Sequence, residues 1–161
     1  DDYEKDMLLK IIRHFTSIYF AKVYGYCVMG NHFHLIVQMQ DGSDVPDSEI
    51  VKRFERYKNW CSFTPCFNIH DEATFSKLRK KWSNLSDLVK EIKLNFTRFY
   101  NSRNERRGFL WGGRFKNVLL QKGDALINCM AYIDLNSLRA GIVDVPKDYR
   151  FTVVGFGWIK V

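Results

Sequence analysis

Apolar side chains recur every three or four residues in several stretches of the chain, and this spacing predicts amphipathic helices. The clearest runs cover residues 3–20, 85–101 and 124–136. Asp47 or Ser48 is suited to capping one more helix, which we expect to end at about Trp60. Residues 61–83 lack a clean period, so we interpret 41–83 as an insertion or arm that carries a short helix.

Two shorter segments, 22–29 and 32–39, are rich in β-branched and aromatic residues and predict strands. Gly30 and Asn31 lie between them and favour a tight turn, so the two strands should form an antiparallel hairpin. A third strand is predicted at 114–121. About three strands and three or four helices in mixed order predict one α+β domain that spans the whole chain.

The composition fits a folded domain with a basic region. The 161 residues are enough for a hydrophobic core, and 46% of them are hydrophobic. The formal net charge of +7 is uneven, since residues 77–122 carry 13 Lys and Arg against 3 Asp and Glu. Positive charge interleaved with aromatic residues fits a nucleic acid partner, although a solvated basic surface would have the same composition.

Other features of the chain favour a cytoplasmic protein without a membrane partner. No stretch is long and apolar enough to cross a membrane, and no signal-peptide pattern opens the chain. A chain of this size with this many core residues does not need disulfides. We therefore expect reduced thiols at Cys27, Cys61, Cys66 and Cys129. The spacing of Cys61, Cys66 and His70 resembles part of a zinc site, but the sequence offers no nearby fourth ligand.

Two of the four histidines, His32 and His34, are separated by one residue in the second predicted strand. Side chains alternate along a strand, so both imidazoles should project from one face while Phe33 and Leu35 point toward the core. Two imidazoles on one face can bind the same divalent ion. Taken alone, the pair slightly favours two polar positions beside a turn, because a metal site needs a further ligand from elsewhere.

The last predicted helix has an apolar stripe and a polar one. The apolar positions, which should face the core, are Leu126, Cys129, Met130 and Ile133. The polar stripe consists of Asn128, Tyr132 and Asn136, which are four residues apart. The hydroxyl of Tyr132 is therefore expected to be available for chemistry, although many helical tyrosines only pack and form hydrogen bonds.

These residues belong to longer segments that resemble a known family. The segment YCVMGNHFHLIV is similar to the strand motif of the HUH single-tyrosine transposases, where two histidines alternate with apolar residues after Met-Pro-Asn. The segments RRGFLWGGRFKNVLL and CMAYIDLNSLRAGIVDVPKDYRF resemble the C-terminal half of the REP-associated subgroup of that family. The patterns there are G-x-L-W-x-x-R-F and Y-I-x-x-N-P-x-x-A-G. The likeness covers about residues 3–40 and 84–155.

The resemblance implies a ferredoxin-like fold, in which helices pack on an antiparallel sheet. It implies that His32 and His34 bind Mg²⁺ or Mn²⁺, that Asn136 completes the metal site, and that Tyr132 is the nucleophile. The implied activity is that of a transposase, which cleaves and rejoins single-stranded DNA beside a hairpin through a 5′-phosphotyrosine intermediate. Members of the family act as monomers or as homodimers.

Three features depart from the family pattern. Gly30 and Ser137 each stand where the family has proline, which should loosen the turn and the end of the last helix. No strand precedes the first helix in this sequence, whereas the family begins with one. The sheet is therefore expected either to have an open edge or to be completed by residues outside this sequence.

The basic region supplies the residues expected to contact DNA. Phosphate contacts are expected of Arg98, Arg103, Arg106, Arg107, Arg114 and Lys116. Trp111 is expected either to stack on an unpaired base or to fill the core, and Phe115 to lie in the core. An alternative function is a non-catalytic nucleic-acid-binding domain derived from a transposase. An unrelated metal-dependent hydrolase is disfavoured, because no carboxylate cluster accompanies the histidine motif.

Overall fold

The structure is a computed structural model that describes residues 1–60, 71–121 and 123–153. Its elements in chain order are α1 (Asp2–Ile18), β1 (Ala21–Val28), β2 (Phe33–Met39), α2 (Asp47–Trp60), α3 (Glu72–Trp82), α4 (Leu85–Arg103), α5 (Asp124–Asp134), α6 (Asn136–Arg139) and a 3₁₀ turn (Pro146–Asp148). The α+β class is confirmed. None of the described helices is long and apolar enough to span a membrane.

The helices follow the predicted periodicity closely. Helix α1 buries Leu8, Ile11, Phe15 and Ile18, which share one face because they are three or four residues apart. Helix α3 lies in the segment interpreted as an arm, and the Asp71 side chain caps it by accepting from the Thr74 N–H. Asn84 caps α4 in the same way.

The two strands form the predicted hairpin, with β1 beside β2 in a two-stranded sheet. The Met29 N–H donates to the His32 carbonyl at 2.8 Å and closes the turn. Because Met29 lies opposite His32, the antiparallel register places Gly25 opposite Ile36. Packing agrees with this register, since a Cβ atom at Gly25 would lie 3.5 Å from Ile36 Cδ1.

The predicted third strand at 114–121 is wrong in this structure. These residues have no regular secondary structure, and their apolar side chains are exposed, as shown by Val118 at 82% and Leu119 at 95%. Phe115, expected in the core, is 36% exposed. A strand needs a hydrogen-bonded neighbour, and no described segment pairs with this one. Two strands do not establish a ferredoxin-like fold.

The chain divides into two compact units. The first consists of residues 1–10, 23–37 and 109 onward, and the second of residues 11–22 and 38–108. In the second unit, Arg53 donates to the carbonyls of Ile18 and Tyr19 at 2.8 and 3.1 Å, and so satisfies acceptors at the end of α1. The first unit contains the hairpin turn and helices α5 and α6.

In the first unit, the described C-terminal residues are hydrogen-bonded to the end of β1. The Val28 N–H donates to the Phe151 carbonyl at 3.0 Å, and Cys27 forms an isolated antiparallel bridge with Thr152. The buried Tyr149 hydroxyl donates to the Val28 carbonyl at 2.6 Å. These bonds fix the strand just before the turn that leads to the histidines.

We predict that Tyr149→Phe lowers the free energy of unfolding by about 1–3 kcal/mol, because the buried Val28 carbonyl loses a hydrogen-bond donor. Urea unfolding followed by circular dichroism measures the change. Tyr3→Phe is the control, since Tyr3 is 55% exposed and its variant should stay within about 0.5 kcal/mol of the parent. Equal stability of Tyr149→Phe and the parent would contradict this role.

Candidate active site

The imidazoles of His32 and His34 project from the same face of the hairpin, as the alternation of side chains predicts. Their ring centroids lie 5.0 Å apart, and their planes are perpendicular. His32 is exposed and His34 is partly buried. Two imidazoles therefore meet at the turn end of β2, at a spacing suited to a shared ligand.

Asn31 orients the ring of His32. The Asn31 Oδ1 lies 2.7 Å from His32 Nδ1, and an amide oxygen can only accept a hydrogen bond. This contact suits the tautomer with its proton on Nδ1, in which Nε2 has a lone pair that can bind a metal ion. The motif pattern predicts no role for Asn31. Its position directly before His32 is the feature of the sequence that could have indicated this contact.

The environment of His34 keeps its imidazole neutral at pH 7. Partial burial lowers the pKa of His34 below the ordinary value of 6.5, and the neighbouring His32 lowers it further. The neutral imidazole is the form that binds a metal ion.

Helix α5 packs over the same face of the hairpin. Met130 Cγ lies 4.0 Å from the position of a Cβ atom at Gly25. Burial is the main cause that raises the pKa of the Cys27 thiol to about 11, and the charge of Asp134 is the second. Four residues of a helix and two residues of a strand each span about 6 Å along the element axis. The distance from Met130 to Asp134 along α5 therefore matches that from Gly25 to Cys27 along β1. Helix α5 therefore contacts β1 at Gly25, and Asp134 is near enough to act on Cys27, which the register places opposite His34.

Tyr132 lies in the middle of this stretch of α5, between Met130 and Asp134. Its side chain is 48% exposed, so the phenol is outside the apolar core. The predicted apolar stripe of α5 is less exposed than its other positions, and Ile133 is fully buried. The structure thus places an exposed phenol on the helix that packs against the hairpin at Gly25.

The helix predicted to be continuous over 124–136 is interrupted at Leu135. Asn136 is therefore the first residue of α6. The Asn136 Nδ2 atom is buried and has no hydrogen-bond partner among the described residues. A buried amide atom without a protein partner can be satisfied by water or by a bound group. Rotation of the amide by 180° exchanges its nitrogen and oxygen, so the same position can present an acceptor.

These side chains fit a divalent cation with nitrogen and oxygen ligands. The ligand set would be His32 Nε2, His34 and the Asn136 amide oxygen, which leaves positions for phosphate oxygens. Imidazole ligands suit Mn²⁺ better than Mg²⁺. Among the described residues, no group of three or more His, Cys, Asp or Glu side chains is placed to hold a metal ion. Cys61, Cys66 and His70 lie outside the described residues.

A guanidinium lies over the Tyr132 ring. The Cζ atom of Arg139 is 5.0 Å from the ring centroid, which is a cation–π contact. Arg139 is exposed and follows Tyr132 by seven residues. The motif pattern predicts no role for Arg139, and Tyr132 and Arg139 lie in separate helices, α5 and α6.

The residues expected to contact DNA lie in both compact units. Arg98, Arg103, Arg106 and Arg107 belong to the second unit, and Trp111, Arg114 and Lys116 to the first. The six basic side chains are all exposed. The Trp111 ring meets the Phe33 ring edge to face at 5.7 Å. Phe33 points away from the histidine face, so Trp111 packs on the opposite side of the hairpin from the candidate metal ligands.

Comparison with known proteins adds no relative. No family model matches the chain, and neither a curated protein nor a solved structure matches it. The functional interpretation therefore depends on the motifs of this chain and on the geometry of the hairpin and α5.

We predict that the imidazole of His34 titrates with a midpoint below 6.5, because burial and His32 both disfavour its charged form. In His32→Gln the midpoint should rise, but it should stay below 6.5 because the burial remains. Nuclear magnetic resonance of the imidazole ring protons measures both values. A midpoint at or above 6.5 in the parent protein would contradict the described environment.

Proposed function

We propose that the protein is a metal-dependent single-strand DNA endonuclease and strand transferase of the HUH single-tyrosine transposase type. The observation that carries the proposal is that helix α5, which contains Tyr132, packs through Met130 against Gly25, on the hairpin face from which His32 and His34 project. Tyr132 on that helix is 48% exposed, which a tyrosine used only for core packing would not be.

The proposed reaction is a transesterification at a DNA phosphodiester. The Tyr132 oxygen attacks phosphorus, and the bond between phosphorus and the 3′ oxygen breaks. The phenol proton is released, the leaving 3′ oxygen gains a proton, and a 5′-phosphotyrosine forms. His32, His34 and Asn136 would hold a divalent cation, which would supply positive charge to offset the negative charge on the phosphate.

The same intermediate accounts for strand joining. Attack by another 3′-OH on the phosphotyrosine restores a phosphodiester and releases the phenol, so no external energy source is needed. The DNA partner in this proposal is a single strand that carries a hairpin. The ferredoxin-like fold, the choice of Mg²⁺ or Mn²⁺, and action as a monomer or homodimer belong to the same proposal.

The exposed basic residues support a DNA partner. Arg106 and Arg107 are adjacent and exposed at the end of the segment that follows α4. Glu105, just before them, adopts a left-handed backbone with a φ of 51°, and Gly108, just after them, has a φ of 91°. This turn therefore projects two guanidinium groups, which suit phosphate oxygens.

A non-catalytic nucleic-acid-binding domain is the second candidate. It is favoured by the small number of charged metal ligands, since the described residues contain no cluster of three or more His, Cys, Asp or Glu placed for a metal. In that case the basic residues would bind DNA, and no covalent chemistry would occur at Tyr132.

We predict that the protein forms a covalent adduct with DNA. With Mn²⁺ and labelled single strands that carry a hairpin, the parent protein should give a band that survives a denaturing gel. Tyr132→Phe should give no band, because it lacks the attacking oxygen, while it still binds DNA. His32→Ala combined with His34→Ala should also lose the band, because the cation is no longer held.

Tyr3→Phe is the matched control for the adduct. Tyr3 is 55% exposed, close to the 48% of Tyr132, and its variant should form the adduct like the parent. An adduct in Tyr132→Phe would remove Tyr132 from the nucleophile role. DNA binding without an adduct in the parent protein would favour the non-catalytic candidate.

The second prediction concerns DNA affinity as a function of salt. The double variant Arg106→Ala, Arg107→Ala should bind single strands more weakly, and its slope of log K against log salt should decrease by about 1.4. Fluorescence anisotropy over a salt series measures the slope. Lys52→Ala combined with Lys58→Ala removes the same charge from exposed positions of α2 and should leave the slope unchanged. Equal slopes for all three proteins would exclude these arginines as phosphate contacts.

A further inference from the structure

We propose that Arg139 binds the scissile phosphate beside Tyr132 and positions the phenol for attack. This inference rests on the proposed function, because it assigns one more residue to the same reaction. It starts from one contact, in which the Arg139 guanidinium lies 5.0 Å from the centroid of the Tyr132 ring.

The contact with the ring leaves N–H groups of the guanidinium available to a ligand. A planar guanidinium that stacks on a ring keeps its N–H groups at the edge, where they can donate two parallel hydrogen bonds to phosphate oxygens. Because the ring and the guanidinium are in contact, a phosphate bound at that edge lies beside the phenol. The attacking oxygen and the reacting phosphorus are thereby brought together by one side chain.

The Arg139 guanidinium forms no salt bridge within the described part of the protein. Other arginines are held by carboxylates, as shown by Arg150 with Asp6 at 2.6 Å and Arg53 with Glu49 at 2.8 Å. Among residues 1–60, 71–121 and 123–153, no carboxylate pairs with the Arg139 guanidinium, and the side chain is exposed. An exposed cation placed on the candidate nucleophile therefore has its full charge available for an anion.

A lysine at this position would not perform the same task. An ammonium group has no planar fork, so it can offset the charge of a phosphate but cannot stack on the ring and bind two phosphate oxygens together. This difference separates a positioning role from a general contribution to positive charge, and it defines the variants for the test.

The test measures single-turnover cleavage and DNA binding in parallel with Mn²⁺ and the hairpin-bearing single strand. At saturating DNA, Arg139→Ala should cleave about 100-fold more slowly than the parent, the size expected when a donor to the reacting phosphate is lost. Its Kd should rise only a few-fold, because many other phosphate contacts remain. Arg139→Lys should restore binding but only a small part of the rate.

Chemical rescue distinguishes phosphate binding from a merely structural role. Added guanidinium ion, at concentrations well below those that unfold the protein, should raise the cleavage rate of Arg139→Ala and leave the parent unchanged. Lys147→Ala is the matched control, since it removes an exposed positive charge from the same compact unit and should cleave like the parent.

The outcomes separate the two proposals. Failure of the parent protein to form the adduct would overturn the proposed function, and with it the role of Arg139. An active parent with Arg139→Ala cleaving within about twofold of it would overturn only the role of Arg139, because a donor to the reacting phosphate is worth far more. A slow Arg139→Ala variant that guanidinium does not rescue would also overturn phosphate binding.

Discussion

The alternation of side chains along the β1–β2 hairpin is the constraint on which the candidate site depends. A strand cannot present neighbouring residues on the same side, so His32 and His34 share one face while Phe33 is committed to the other. The register closed at Met29 and His32 places Gly25 and Ile36 on the histidine face, and Met130 of α5 packs there. A slip of one residue in this pairing would move both imidazoles away from the helix that carries Tyr132.

Hydrogen bonding and charge then define what this face can bind. The side chain of Asn31 fixes the proton of His32 on Nδ1, and burial keeps His34 neutral at pH 7. Imidazole nitrogens can bind a cation, whereas the Arg139 guanidinium on the phenol ring can bind an anion. In the proposed reaction, a phosphodiester bound with a divalent cation would satisfy both requirements, and the Tyr132 phenol would be the nucleophile. This combination is the physical reason to prefer phosphoryl chemistry over binding alone.

Local patterns in the sequence were sufficient for α1, α2 and α4, for most of α5, for the hairpin and for the face shared by the two histidines. Each follows from residues within a few positions of one another, such as the stripe on α1 or the Gly30–Asn31 turn. The strand predicted at 114–121 was wrong because β-branched and apolar residues favour a strand only where a neighbour accepts its hydrogen bonds. The contacts of Asn31 and Arg139 depend on side-chain conformation, and the break at Leu135 depends on tertiary packing. None of these three features could be predicted from the periodicity of the sequence.

The central claim is that the Tyr132 phenol and the two imidazoles meet at one metal ion. Paramagnetic broadening by Mn²⁺, measured by nuclear magnetic resonance on proteins labelled at the tyrosine and histidine rings, tests it most directly. At substoichiometric Mn²⁺ the ring signals of His32, His34 and Tyr132 should broaden together, while those of the control residue Tyr3 stay sharp. Broadened histidine signals with a sharp Tyr132 signal, or no specific broadening at all, would contradict the claim.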